Sequence, residues 1–124
     1  MKQMKYQGRQ GDTLTIHSSC PSLRAETRAR LFGALKYKEI QFTEEGRIPL
    51  AYGEVSGHAH AIYEEGVAQL LVSNDVQETV KHLNITGAAI LQHEEHEAIG
   101  LKEGQNVTLI QNEYKLKKIQ RVAD

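Results

Sequence analysis

Apolar residues along this chain follow a two-residue rhythm, broken once by a helical one. "DTLTIH" (Asp12–His17) alternates, with Leu14 and Ile16 on one side, and predicts a strand. From Leu23 to Lys38 the spacing changes. Leu23, Thr27, Leu31 and Leu35 share one helical face with Phe32 beside them, which predicts an amphipathic helix near residues 22–38. The preceding "SSCPS" reads as a turn whose Ser19 or Ser22 is placed to cap that helix. Gly33 weakens it by up to ~1 kcal/mol relative to alanine.

After the helix the two-residue rhythm returns in short runs. "EIQFT", "IPLAY" (Ile48–Tyr52), "HAHAIY" (His58–Tyr63), "VAQLLV" (Val67–Val72) and "AAILQ" (Ala88–Gln92) are strand-like, separated by turns such as "EEGR", "EEG" and "SND". Pro49 suits an edge strand or a strand start, because proline has no N–H for a ladder. "VQETVKHLNI" fits either a helix, through Val76, Val80 and Leu83, or a strand. "LKEGQNVTLIQNEY" predicts a hairpin turning at "KEGQ", with "KLKKIQRVAD" continuing its second strand. No repeat or linker divides the chain, so the expectation is a single domain over 1–124. It is mainly β, a small antiparallel β-barrel or sandwich with one helix.

Composition leaves this picture intact. At 124 residues, with 40% hydrophobic and 25% charged positions, the chain is ordinary globular material rather than disordered. Cys20 is the only cysteine, so neither an internal disulfide nor a CxxC metal or redox pair exists. The N-terminus lacks the apolar core of a signal peptide, and the longest apolar runs are too short to span a bilayer. The expected location is therefore cytoplasmic, without membrane contact.

Charge changes the picture more. Residues 1–47 hold nine Lys/Arg against five Asp/Glu, residues 48–104 hold two against nine, and residues 105–124 hold four against two. The acidic middle favours cations. It also carries both histidine pairs, four of the chain's six histidines standing in "GHAHAI" and "QHEEHEAI", with His82 between them. On a strand, His58 and His60 project to the same face about 7 Å apart, a spacing that suits chelation of one metal. His93 and His96 share a face on a helical turn, whereas on a straight strand they diverge, so their convergence calls for a turn after Gln92. His58, His60, His93 and His96 are therefore the candidate metal ligands. Imidazole and carboxylate donors suit a divalent transition metal such as Zn, Fe, Mn or Ni, and nothing selects among these. Glu54 and Glu95 are the candidate catalytic acid/base residues, with Glu64, Glu94 and Glu97 as further carboxylates near the histidines. The competing reading makes the same histidines polar loop residues with no ligand.

Part of "GEVSGHAHAIYE" resembles the first motif of the cupins. His58, His60 and Glu64 follow the HxHxxxE spacing, and that resemblance implies a metal inside a small β-barrel. The proline of the second cupin motif has no counterpart in "GAAILQH". A longer likeness runs through "RQGD", "AYGEVSGHAHAI", "HEEHEAI", "QNEY" and "RVAD". These stretches resemble an uncharacterised group of small bacterial and phage proteins that share GEVTGHxH, HEEHxxI and QREY segments. The resemblance implies that all four histidines belong to a common pattern, and it carries no assigned activity. Ser56 stands where that group has threonine, and Asn112 where it has arginine.

Basic clusters on the helix (Arg24, Arg28, Arg30) and in the tail (Lys115, Lys117, Lys118, Arg121) are read as solvated faces. The near-neutral chain shows no nucleic-acid-binding motif. Phosphate-loop, dinucleotide and nucleophile-elbow motifs are absent. The sequence thus supports a metal-binding β-domain, either a metal-dependent hydrolase or oxygenase or a metal-stabilised domain without catalysis. The alternative is a bacterial or phage interaction module that docks a protein partner through its helix and tail, with an edge strand available for a homodimer. A small-molecule ligand fits the first reading.

Overall fold

The computed structural model describes residues 1–33, 36–52, 59–73 and 80–110. Its strands are β1 (Lys2–Gln3), β2 (Gln7–Gln10), β3 (Thr13–His17), β4 (Lys38–Ile40), β5 (Ile48–Tyr52), β6 (Ala59–Ile62), β7 (Ala68–Val72), β8 (Val80–Ile85), β9 (Ile90–Gln92), β10 (Ile99–Gly100) and β11 (Gly104–Ile110). They form a five-stranded sheet in the order β1-β10-β9-β6-β5 and a six-stranded sheet in the order β2-β3-β11-β8-β7-β4. Every described pairing between these strands is antiparallel except β1 with β10. The result is a sandwich and not a closed barrel.

Side-chain alternation explains how the sheets pack. Ile48, Leu50, Ile62, Leu91 and Ile99 from one sheet meet Leu70, Leu83 and Ile85 from the other in a single buried cluster. Ile62 and Leu91 are completely buried and are cross-strand partners. Full burial of each such side chain stabilises the fold by roughly 1.5–3 kcal/mol. The opposite face of the six-stranded sheet presents Ile16 and Val107, again cross-strand partners, and these pack with Cys20, Leu23, Leu31 and Phe32.

The helix is shorter than its spacing predicts. α1 spans Ala25–Phe32, starts after Arg24 without a side-chain cap, and ends at Gly33. Neither Ser19 nor Ser22 caps it. Leu23 reaches the apolar cluster from outside the helix, and Lys38–Ile40 pair with β7 as an edge strand. Helices this short depend on packing rather than propensity, and here packing at Leu31 and Phe32 defines the helical stretch. Arg28 fastens it to the preceding loop by donating to the carbonyls of Ser18 and Cys20, at 3.0 Å each.

Pro49 lies on an edge strand, as its missing N–H requires, and the β5–β6 register shifts between Pro49 and Ala51. The ambiguous "VKHLNI" is strand β8. The hairpin expected around "KEGQ" does not form, because β10 and β11 belong to different sheets. Leu101 is the reason: it is buried in the core between the sheets, and its N–H donates to Ala89, so the chain crosses the sandwich there. Among the described residues, no helix is long and apolar enough to cross a membrane.

Candidate metal centre

β6 carries His60 into the interior, 1 % exposed and on the same face as Ile62. The β6–β9 register pairs Ala61 with Gln92, and continuing it by one residue sets His93 opposite His60. Their ring centroids are 4.3 Å apart. Past Gln92 the chain leaves the strand and bends through Glu94–His96, which returns the His96 ring to 4.6 Å from His93 and 6.2 Å from His60. The turn required for convergence of the "HEEH" histidines is present. Three of the four candidate ligands are thus gathered from two separate stretches of chain. His58 and Glu54 lie outside the described residues.

Two residues that the sequence reading did not single out shape the site. Gln10 ends β2 and Asp12 begins the return into β3, with Gly11 between them at φ +56°. Gln10 is 2 % exposed and its amide orientation is determined by its surroundings. Nε2 donates to the carbonyls of Leu91 (3.1 Å) and Glu97 (2.9 Å), so Oε1 is the acceptor that faces His60 Nδ1 at 2.8 Å. His60 Nδ1 therefore carries a proton. The other ring nitrogen, Nε2, lies 3.2 Å from Asp12 Oδ1. A neutral imidazole protonated on Nδ1 has only a lone pair at Nε2, and a carboxylate has only lone pairs. At that distance the pair needs a proton, on the ring or on the carboxyl, or a metal ion between the two lone pairs.

The remaining rings differ in what they offer. His93 Nδ1 accepts the Glu95 backbone N–H at 3.0 Å, so its neutral form carries the proton on Nε2 and donates from there. His96 Nε2 is buried without a hydrogen-bond partner among the described residues. The carboxylates also separate. Glu94 accepts the Ala59 N–H at 3.2 Å and steadies the start of β6, and Glu64 accepts the Ile90 N–H at 3.1 Å. Glu95 is exposed. Among the described residues, no group of three or more His, Cys, Asp or Glu side chains stands arranged to hold an ion. The described rings are gathered, but their donor atoms do not all aim at one point.

The signal for Gln10 and Asp12 was the stretch "RQGD", which stood among the segments of the longer likeness without a role attached. Its distance in sequence from both histidine pairs concealed its place beside them.

Residues 9–111 match the family model described as "Domain of unknown function (DUF8820)". No curated protein and no solved structure gives a significant match.

Proposed function

The chain belongs to the DUF8820 family of unknown function, and from that premise we propose, on the geometry of its own residues, that it is a metal-binding β-sandwich domain. One observation carries the proposal: the buried His60 Nε2 facing the Asp12 carboxylate at 3.2 Å while Gln10 holds the Nδ1 proton. A histidine that ligates a metal through one nitrogen commonly donates its other N–H to an oxygen acceptor, which sets the tautomer and aims the ring. Two ligand atoms on a tetrahedral ion, each about 2.0–2.1 Å from it, lie about 3.3 Å apart. His60 and Asp12 already have that separation.

In this reading His60 Nε2 and Asp12 supply two donors. His96 Nε2, buried and unpartnered, supplies a third after a local adjustment of the Glu94–Glu97 bend. His58, two residues from His60 on the chain, is the candidate for the fourth. His93 lines the site and donates to it. Mixed imidazole and carboxylate donors suit zinc, iron, manganese or nickel. A site that leaves one position to water is the catalytic kind, with Glu54 and Glu95 as its candidate acid/base residues. A fully occupied one serves stability.

The interaction-module alternative calls for an exposed apolar stripe on the helix. Leu31 and Phe32 instead pack against Ile16 and Val107. That observation removes the support the described part of the helix would lend to the alternative.

Elemental analysis and Co²⁺ absorption spectroscopy on protein purified without chelators test it. The expected result is about one ion per chain, with binding abolished in His60→Ala and Asp12→Asn. Gln10→Ala should weaken binding by about 10–100-fold. A chain that takes up neither Zn²⁺ nor Co²⁺, or a His60→Ala variant that still binds, would leave a proton as the cation between His60 and Asp12 and end the proposal.

A further inference from the structure

An opening lies on the outer face of the six-stranded sheet, beside the C-terminal end of α1 and away from the histidine cluster. It has a volume of about 260 Å³, and its lining includes Phe32, Tyr37, Leu71, His82, Asn84 and Gln105. His82 pairs across the sheet with Leu71 and Val107. Val107 packs under the helix, so the His82 ring belongs to that outer face. His82 is 5 % exposed, and its Nε2 is buried with no hydrogen-bond partner among the described residues. Tyr37, half-exposed at the mouth, meets the imidazole edge-on at 4.8 Å.

A buried ring nitrogen without a partner is costly, because it has lost water and gained nothing. A ligand hydrogen bond removes that cost. Three features narrow the ligand. Among the described residues, none that lines the opening carries a formal charge, so a charged ligand finds no counter-charge there to offset its desolvation. The Phe32 and Tyr37 rings beside the opening favour a flat molecule. The amides of Asn84 and Gln105 each offer a donor and an acceptor, and the one described side-chain bond between Asn84 and Gln69 is long, at 3.5 Å.

We infer that this cavity binds a small neutral heterocycle with a lactam edge, an N–H beside a C=O, as in a pyrimidine base. The edge meets His82 Nε2 and the amide side chains, and the ring lies against Tyr37 and Phe32. Adjacent donor and acceptor satisfy Nε2 in either neutral tautomer, which a lone hydroxyl or carbonyl does less completely. Burial pushes the His82 pKa below its ordinary 6.5, consistent with a neutral ring at pH 7.

The test uses uracil as the probe and 1,3-dimethyluracil, the same ring with both N–H groups blocked, as the control. Each is titrated into the full chain while the His82 imidazole nitrogens are followed by NMR and the heat by calorimetry. Uracil should shift the His82 Nε2 resonance saturably, and the dimethyl compound should bind at least about tenfold more weakly, the loss expected for a buried hydrogen bond. His82→Phe should weaken uracil binding to a similar degree. Equal binding of the two compounds, undiminished binding in His82→Phe, or no His82 shift up to the solubility of uracil would each overturn the inference. Metal-loaded and metal-free protein should give the same result, so this outcome is separate from that of the metal site.

Discussion

His60 and His93 face each other across two strands, yet the atoms around them place the proton on different ring nitrogens. Gln10 accepts the Nδ1–H hydrogen bond of His60 and leaves Nε2 turned to Asp12, whereas the Glu95 backbone N–H donates to His93 Nδ1. The spacing of "HAH" and "HEEH" pointed to His60, His93 and His96, whose rings the fold gathers, without distinguishing their hydrogen bonding, because a tautomer is decided by whatever lies beside each nitrogen. His82 allows a prediction of its own. Its pKa is lowered by burial, so the unfolded chain takes up the proton first as pH falls. The associated stability is fully present above 6.5 and is lost as pH drops from 6.5 toward the folded value. Denaturant melts of wild type and His82→Gln between pH 8 and pH 5 should show a smaller decline in the variant. Parallel curves would mean that the ring contributes nothing to acid sensitivity.

Among the elements, β6 has the most demanding position, since all its residues are buried and it joins β5 to β9. Ile62→Ala should cost about 2–5 kcal/mol, read as a lower midpoint in urea, because the packed sheets leave little room to collapse into the void. The start of β11 is constrained differently. Gly104 has φ +114°, and a Cβ there would approach His17 Nε2 to 2.6 Å. That nitrogen already donates to the Glu103 carbonyl. Gly104→Ala should therefore destabilise by roughly 1–3 kcal/mol, again measured by urea melting. The expected "KEGQ" hairpin failed in this same region. Its residues have turn chemistry, but the burial of Leu101 sends the chain across to the other sheet. The helix shows the same priority, with its length determined by what Leu31 and Phe32 can cover.

For the molecule as a whole, the acidic segment 48–104 and the β2–β3 turn meet at the site from distant parts of the chain. If a cation holds them together, occupancy and folding are linked. At a free metal concentration about 100 times the dissociation constant, the stabilisation is about 2.7 kcal/mol, or a rise of about 10 °C in Tm for a domain of this size. Calorimetry with Zn²⁺ and then with a chelator should show that rise in wild type and none in Asp12→Asn. The packing of one sheet on the other decides which polar groups share the interior. Thr15 and Thr108, both fully buried, satisfy each other at 2.7 Å across β3 and β11.

The sequence alone determined that this would be a mainly β chain with one helix, that Pro49 belonged on an edge or at a strand start, and that the histidines of "HEEH" needed a bend to converge. Those properties are local, because a strand's period and a proline's missing donor act within a few residues. Only the tertiary structure decided that the sheets stack as an open sandwich, that "KEGQ" is a crossover, and that Gln10 and Asp12 complete the surroundings of His60. Such choices depend on which apolar faces cover one another, and on polar atoms brought together across about fifty residues of chain.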